Sequence, residues 1–176
     1  MDQNILLTSL HSFYDKSRYN ELRCILDRKN NDISLRLIDW FTTNYAKKKN
    51  TRVKNRAGKS INVYIEYKNQ LKAFSKKQFD PFCRRDRMVF NKYEKNLKTT
   101  IGQLNFFRWA IDNNIVEYVK LHNTVIEADM LDAINTSPSN SKGAKNSYIL
   151  TTRKELSSCA TKCFTCIELK CVIVLD

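Results

Sequence analysis

Three glycines and two prolines are spread over 176 residues, well below the roughly 7% and 5% of ordinary chains. Tight turns need residues that accept positive φ or preset φ near −65°. A chain this poor in both cannot supply the many turns of an all-β sandwich or barrel, nor the glycine-rich phosphate loops of Rossmann and P-loop folds. A helix-rich fold is the expectation. With 42% hydrophobic and 11% aromatic residues, it has material for a packed core without metal or disulfide staples, which excludes collagen-like, mucin-like and disulfide-scaffold classes.

No apolar run approaches the roughly 20 residues of a membrane span, and Met1, Asp2, Gln3 and Asn4 lack the basic start of a secretory signal. The expected setting is the inside of a cell, without membrane attachment and with reduced thiols. Six cysteines then read as buried thiols or metal ligands before disulfides.

Net charge is +13, and its position is more informative than its size. Residues 1–46 carry six basic and six acidic groups, residues 47–98 seventeen and four, and residues 99–176 eight and eight. The whole excess sits in the middle segment, as a face for a polyanion would require. A solvated lysine-rich surface is the plainer alternative.

Apolar residues recur at helical spacing from Asn4 to about Arg28, interrupted near Ser17 to Asn20, which predicts one bent helix or two short ones. A second amphipathic stretch runs from Ile33 through Phe41, with Asp32 or Ser34 as cap, and ends in Lys47, Lys48 and Lys49. Thr51 to Val53 and Ile61 to Tyr67 flank the turn-like Asn55 to Lys59, and alternation at Ile61, Val63 and Ile65 predicts a β-hairpin. Lys68 to Lys77 reads as helix, Phe79 to Arg85 opens as a loop, and Met88 to Tyr93 reads as a short strand. Thr99 or Thr100 caps a helix through Ile111, and Asp112 to Asn114 separate it from another through Ile134. The expected architecture is a helix-rich α+β fold: a helical core, a small β-hairpin or short sheet, and a C-terminal helix-strand tail. The expected domains are a main domain over 1–134, a polar linker over 135–147, and a tail over 148–176 packing on the main domain.

Cys159, Cys163, Cys166 and Cys171 fall within 13 residues. The C-x2-C element suits a zinc knuckle. Cys171, however, lies in an apolar strand pattern that sends neighbouring side chains to opposite faces, so buried thiols are the preferred reading and no cofactor is expected. Cys24 and Cys83 read as packing residues. Ala57 to Ser60 echo the end of a P-loop, but Val53 stands where the first glycine is needed. Glu66, Tyr67 and Lys68 have the E-x-K form of a metal-dependent nuclease strand, with only Asp32 or Asp39 as second carboxylate, both on expected helices. His11 and His122 lie on unrelated segments and suggest no acid–base pair.

The basic segment is interleaved with Tyr64, Tyr67, Phe74, Phe79, Phe82, Phe90 and Tyr93. Cations neutralise phosphates and ring faces stack on unpaired bases, although Phe74, Phe79 and Phe82 each fit a core position. The expected phosphate contacts are Lys47, Lys48, Lys49, Arg52, Lys54, Arg56 and Lys59, with Lys76, Lys77, Arg84, Arg85 and Arg87 as a second cluster.

The strings ISLRLIDWFTTNYAKK (Ile33 to Lys48), YKNQLKAFSKKQFDPFCRR (Tyr67 to Arg85) and TTIGQLNFFRWAIDNNIVEYV (Thr99 to Val119) resemble a family of short proteins encoded by nucleocytoplasmic large DNA viruses. The resemblance spans roughly residues 30–135 and extends to a tail of helix, strand and terminal Asp. It implies a viral origin, transfers no catalytic or binding residue, and makes the cysteine-rich tail a departure. The resulting expectation is a non-enzymatic protein that binds DNA or RNA in viral gene expression or genome packaging. Its expected location is the host cytoplasm or nucleus, or the virion. Two alternatives stand beside it: a virion structural or assembly protein meeting an acidic viral partner, and the nuclease.

Overall fold

A computed structural model describes residues 3–26, 33–84, 86–93 and 95–135. All belong to one compact unit that ends at Asn135. The expected linker, the tail and its four cysteines, as well as Asp32 and Arg85, lie outside the described residues.

The described chain is a helical core with two separate antiparallel hairpins, so the helix-rich α+β expectation holds. Helices α1 (Gln3–Phe13) and α2 (Lys16–Leu26) bury Leu6 and Leu10, then Tyr19, Leu22 and Ile25, at spacings of three and four. The break between them falls at Tyr14 and Asp15 rather than within Ser17 to Asn20. The Asp15 carboxylate accepts from the Arg18 backbone N–H at 2.8 Å and so starts α2.

Ser34 caps α3 (Leu35–Trp40), accepting from Leu37 N at 3.1 Å. The helix continues as a π-helical turn over Phe41–Tyr45 and then as α4 (Ala46–Lys49). The Thr42 and Thr43 hydroxyls donate to the Asp39 carbonyl at 3.1 and 2.7 Å, displacing the backbone pattern as side-chain back-bonding does. Asn50, in the left-handed region at φ 49°, ends α4.

Strands β1 (Arg52–Lys54) and β2 (Ser60–Asn62) form the first hairpin, with Val53 opposite Ile61 on the buried face. The strand expected to reach Tyr67 stops at Asn62, because Asn62 caps a helix, α5 (Val63–Ala73), by accepting from Ile65 N at 3.0 Å. Ile61, Val63 and Ile65 fit a strand period, yet Val63, Tyr67, Leu71 and Phe74 fit a helical one, and the cap decides between them. Ile65 is consequently 57% exposed. The helix expected over Lys68 to Lys77 thus starts earlier and ends at Ala73.

Met88 to Tyr93 forms a strand as expected, β3 (Met88–Lys92), and its partner β4 (Lys95–Thr99) had no sequence signal. The helix expected beyond Asn114 divides at His122 into α7 (Ile115–Leu121) and α8 (Asn123–Asn135). Cys24 is exposed and Cys83 half-buried, so Cys24 is no packing residue.

At the centre lies α6 (Ile101–Asp112), capped by Thr100, whose hydroxyl accepts from Gln103 N at 3.1 Å. Nine of its residues are buried, including Leu104, Phe106, Phe107, Trp109 and Ile111. A helix buried on nearly every side carries polar side chains inside, and most of their polar atoms find partners, Asn105 Oδ1 and Trp109 Nε1 excepted. Gln103 donates to the Pro81 carbonyl and Asn105 to that of Gln78, both at 2.9 Å, and Tyr14 donates to the Leu104 carbonyl at 2.7 Å. Close approach of the 77–81 segment requires Gly102: a Cβ there would lie 2.8 Å from the Lys77 carbonyl oxygen. Gly102→Ala is therefore expected to cost about 1–3 kcal/mol through overpacking. Urea unfolding of the two proteins measures it, and equal midpoints would contradict the close packing described.

Candidate nucleic-acid interface

The first basic cluster is held by a junction between helices. Asn62 donates through Nδ2 to the Asn50 side chain at 2.6 Å while its Oδ1 caps α5. Thr51 N donates to Ala46 O, and Val63 N to Thr51 O, each at 3.1 Å. The end of α4 is thereby locked to the start of α5. Tyr64 in the first turn of α5 then receives Lys47 of α4, Nζ 5.6 Å from the ring centroid, and Lys68 one turn on, at 5.9 Å. The electron-rich ring face attracts both ammonium groups, by about 0.5–1 kcal/mol each at an exposed site. One ring thus contacts cations from two different elements.

Arg52 and Lys54 project from the exposed face of the first hairpin, opposite Asn62 and Ser60. The hairpin tip is closed by Asn55, which accepts from Lys59 N at 2.8 Å through its side chain and from Gly58 N at 2.9 Å through its carbonyl. Gly58 sits at φ 79°, where the turn requires positive φ. This turn joins two strands, whereas a phosphate-binding P-loop leads from strand to helix. The tip is anchored where Arg56 N donates to Asp112 O at 3.0 Å and the Asn114 side chain to Lys54 O at 2.9 Å.

Carboxylates occupy three of the expected phosphate contacts. Lys48 donates to Asp129 at 2.5 Å, Arg56 meets Glu21 at 2.6 Å, and Arg84 makes two bonds to Asp80 at 2.9 and 2.6 Å. Arg84 also lies over the Phe82 ring. By contrast, Lys47, Lys49, Arg52, Lys54, Lys59, Lys76, Lys77 and Arg87 are exposed and form no ion pair with another described residue. Lys68 and Lys72, on the outer face of α5, belong with them. Reading 61–67 as strand concealed those two; the spacing Tyr64, Lys68, Lys72 at i, i+4, i+8 was the signal that pointed to them.

The second cluster starts just beyond α5. Lys77 and Arg84 line a surface cavity of about 410 Å3 with Gln3, Asp86 and the first turn of α6. Of the interleaved aromatics, Phe79 and Phe90 are core and Tyr67 packs on Phe79 and Trp109. Phe74 and Phe82 are half-buried, and Tyr93 is the most exposed ring, at 46%. Glu66 lies in the first turn of a helix, not on a strand, and Asp39 is buried on another helix. The nuclease reading therefore loses the strand on which it was based. Among the described residues, no group of three His, Cys, Asp or Glu side chains is placed to hold a metal ion, and no helix is long and apolar enough to cross a membrane.

A model of a family of unknown function, DUF7197, matches residues 1–161. The chain belongs to that family. It is similar to uncharacterized protein L507 of Acanthamoeba polyphaga mimivirus, 46% identical over 125 residues, which cover 66% of this chain and 47% of that protein. The chain thus spans about half the length of this curated relative, and the resemblance to giant-virus proteins holds. No solved structure matches.

The Lys48–Asp129 pair also carries a pH dependence. Burial acts to raise the Asp129 pKa, but hydrogen bonds from Lys48 and from Trp40 Nε1, at 3.1 Å, outweigh it and hold the carboxyl below the usual carboxylate range. A depressed folded-state pKa contributes stability above the unfolded value near 3.9 and loses it as pH falls through the folded value. Asp129→Asn should thus lower Tm at pH 7, and the gap from the wild type should shrink below about pH 4. Melting curves across pH 2.5–7 test this, and a gap independent of pH would refute the linkage.

Proposed function

We propose that this viral protein is a non-enzymatic nucleic-acid-binding protein, acting in viral gene expression or genome packaging through the face built from the end of α4, the first hairpin and α5. The observation that carries this reading is the pair Lys47 and Lys68 held over Tyr64. Two cations held against one neutral ring are already partly ordered, which lowers the entropic cost of meeting phosphates. Lys49, Arg52, Lys54, Lys59 and Lys72 extend the charge around it, with Lys76, Lys77 and Arg87 beyond α5. In this reading Tyr64 positions cations instead of stacking on a base, and Lys48, Arg56 and Arg84 serve the fold.

The competing reading is a virion assembly protein whose basic face meets an acidic protein partner. Its support is that three cations of this segment already pair with carboxylates. Titration of duplex DNA, single-stranded DNA and RNA against salt separates the two. For a nucleic-acid binder, Lys47→Gln/Arg52→Gln/Lys68→Gln should weaken binding and flatten the slope of log affinity against log salt by about 0.9 for each duplex phosphate no longer neutralised. Tyr64→Leu should weaken binding with little change of slope, because it frees the two lysines from the ring and keeps their charges. Unchanged affinity and slope in the triple variant would sink the proposal.

A further inference from the structure

Large apolar side chains are exposed at eight described positions, and four of them, Leu121, Val125, Leu131 and Ile134, fall within 14 residues. Val125, Ala128 and Leu131 follow one another at i, i+3 spacing, a slanted ridge along α8 of the kind that packs into the groove of another helix, while Ile134, four residues after Met130, lies toward the buried side. Leu121, 80% exposed, precedes it at the end of α7. The other face of α8 is already used, with Ile126 and Met130 buried in the core. The helix carries Glu127, Asp129 and Asp132 and no basic residue. Lys48 bonds Asp129 and also feels Asp132, so the ridge remains acidic on balance within a chain of net charge +13.

A complementary surface exists on the same molecule. On α5, Ile65, Lys68 and Lys72 lie at i, i+3 and i+7, all exposed, which is an apolar residue followed by two cations on one helix face. We propose that the α8 ridge of one copy docks on the α5 face of a second copy. Leu131 and its neighbours would cover Ile65, while Glu127 and Asp132 would meet Lys68 and Lys72. An acidic ridge repels its own kind, so the contact is head-to-tail instead of two-fold. Each copy keeps one unused surface, and assembly continues until a ring closes. This inference does not rest on nucleic-acid binding. It predicts that a polyanion on α5 competes with self-association.

Sedimentation velocity of the full chain without nucleic acid provides the test. The weight-average mass should rise with protein concentration and fall toward the monomer as salt is raised. Glu127→Lys/Asp132→Lys and Lys68→Glu/Lys72→Glu should each abolish association. Mixing the two should restore association in strict alternation, because the basic ridge of the first variant meets the acidic face of the second and the acidic ridge of the second meets the basic face of the first. Val125→Ser/Leu131→Ser, which leaves every charge in place, should also dissociate the wild-type assembly, and unchanged thermal melts verify that the variants are folded. A wild type that stays monomeric at all concentrations, reversed variants that associate as before, or a mixture that fails to pair would each overturn the proposal.

Discussion

The burial of α6 is the constraint on which the rest of the molecule depends. A helix enclosed on nearly every side gains apolar contact in all directions, but it carries Gln103 and Asn105 into the interior with it. Leaving such amides unpaired would cost about 1–3 kcal/mol each. The carbonyls of Gln78 and Pro81 receive them, so the segment between α5 and β3 must run against the helix, and Gly102 makes room for it. That segment carries Lys76, Lys77 and Arg84. The second basic cluster is thereby placed by the requirements of the core, and Arg84 is drawn onto Asp80 at its inner edge.

Charge count and charge availability separate on this surface for a local reason. Lys47 and Lys48 are consecutive on α4, and successive helical residues point about 100° apart. One therefore faces the Tyr64 ring and the other Asp129. The first is left with its charge uncompensated by any described carboxylate, while the second joins α4 to α8 and to Trp40. Arg56 and Arg84 follow Lys48, each meeting a half-buried or buried carboxylate from the surrounding fold. A run of lysines in sequence thus divides into exposed surface charge and internal fastening according to helical phase.

Much of this was legible in the residues alone. Scarce glycine and proline indicated helices, the middle segment held the whole net charge, and Thr100 was a visible cap. Three parts were not legible, for distinct physical reasons. Residues Ile61 to Ile65 satisfy a period of two and a period near 3.6 at once, and the Asn62 cap, itself bonded to Asn50, selects the helix. Lys95 to Thr99 carries no alternation strong enough to mark a strand, and pairing with β3 makes it one. The carboxylate partners of Lys48 and Arg56 lie 81 and 35 residues away in sequence, so no local pattern could have removed those cations from the candidate site.

The π-helical turn over Phe41–Tyr45 connects these observations. A π turn holds an additional residue relative to the α-helix, and each added residue rotates everything after it by roughly 100°. Two threonine hydroxyls, both donating to the Asp39 carbonyl, accompany that turn. Directly beyond it come Ala46, which is fully buried, and then Lys47 and Lys48. Were the helix α throughout, this rotation would be absent. Lys47 would then leave Tyr64 and Lys48 would leave Asp129, although neither lysine had changed. Thr42 and Thr43, both buried, therefore set the aim of the cations that follow, and the position of the basic face is decided inside the core.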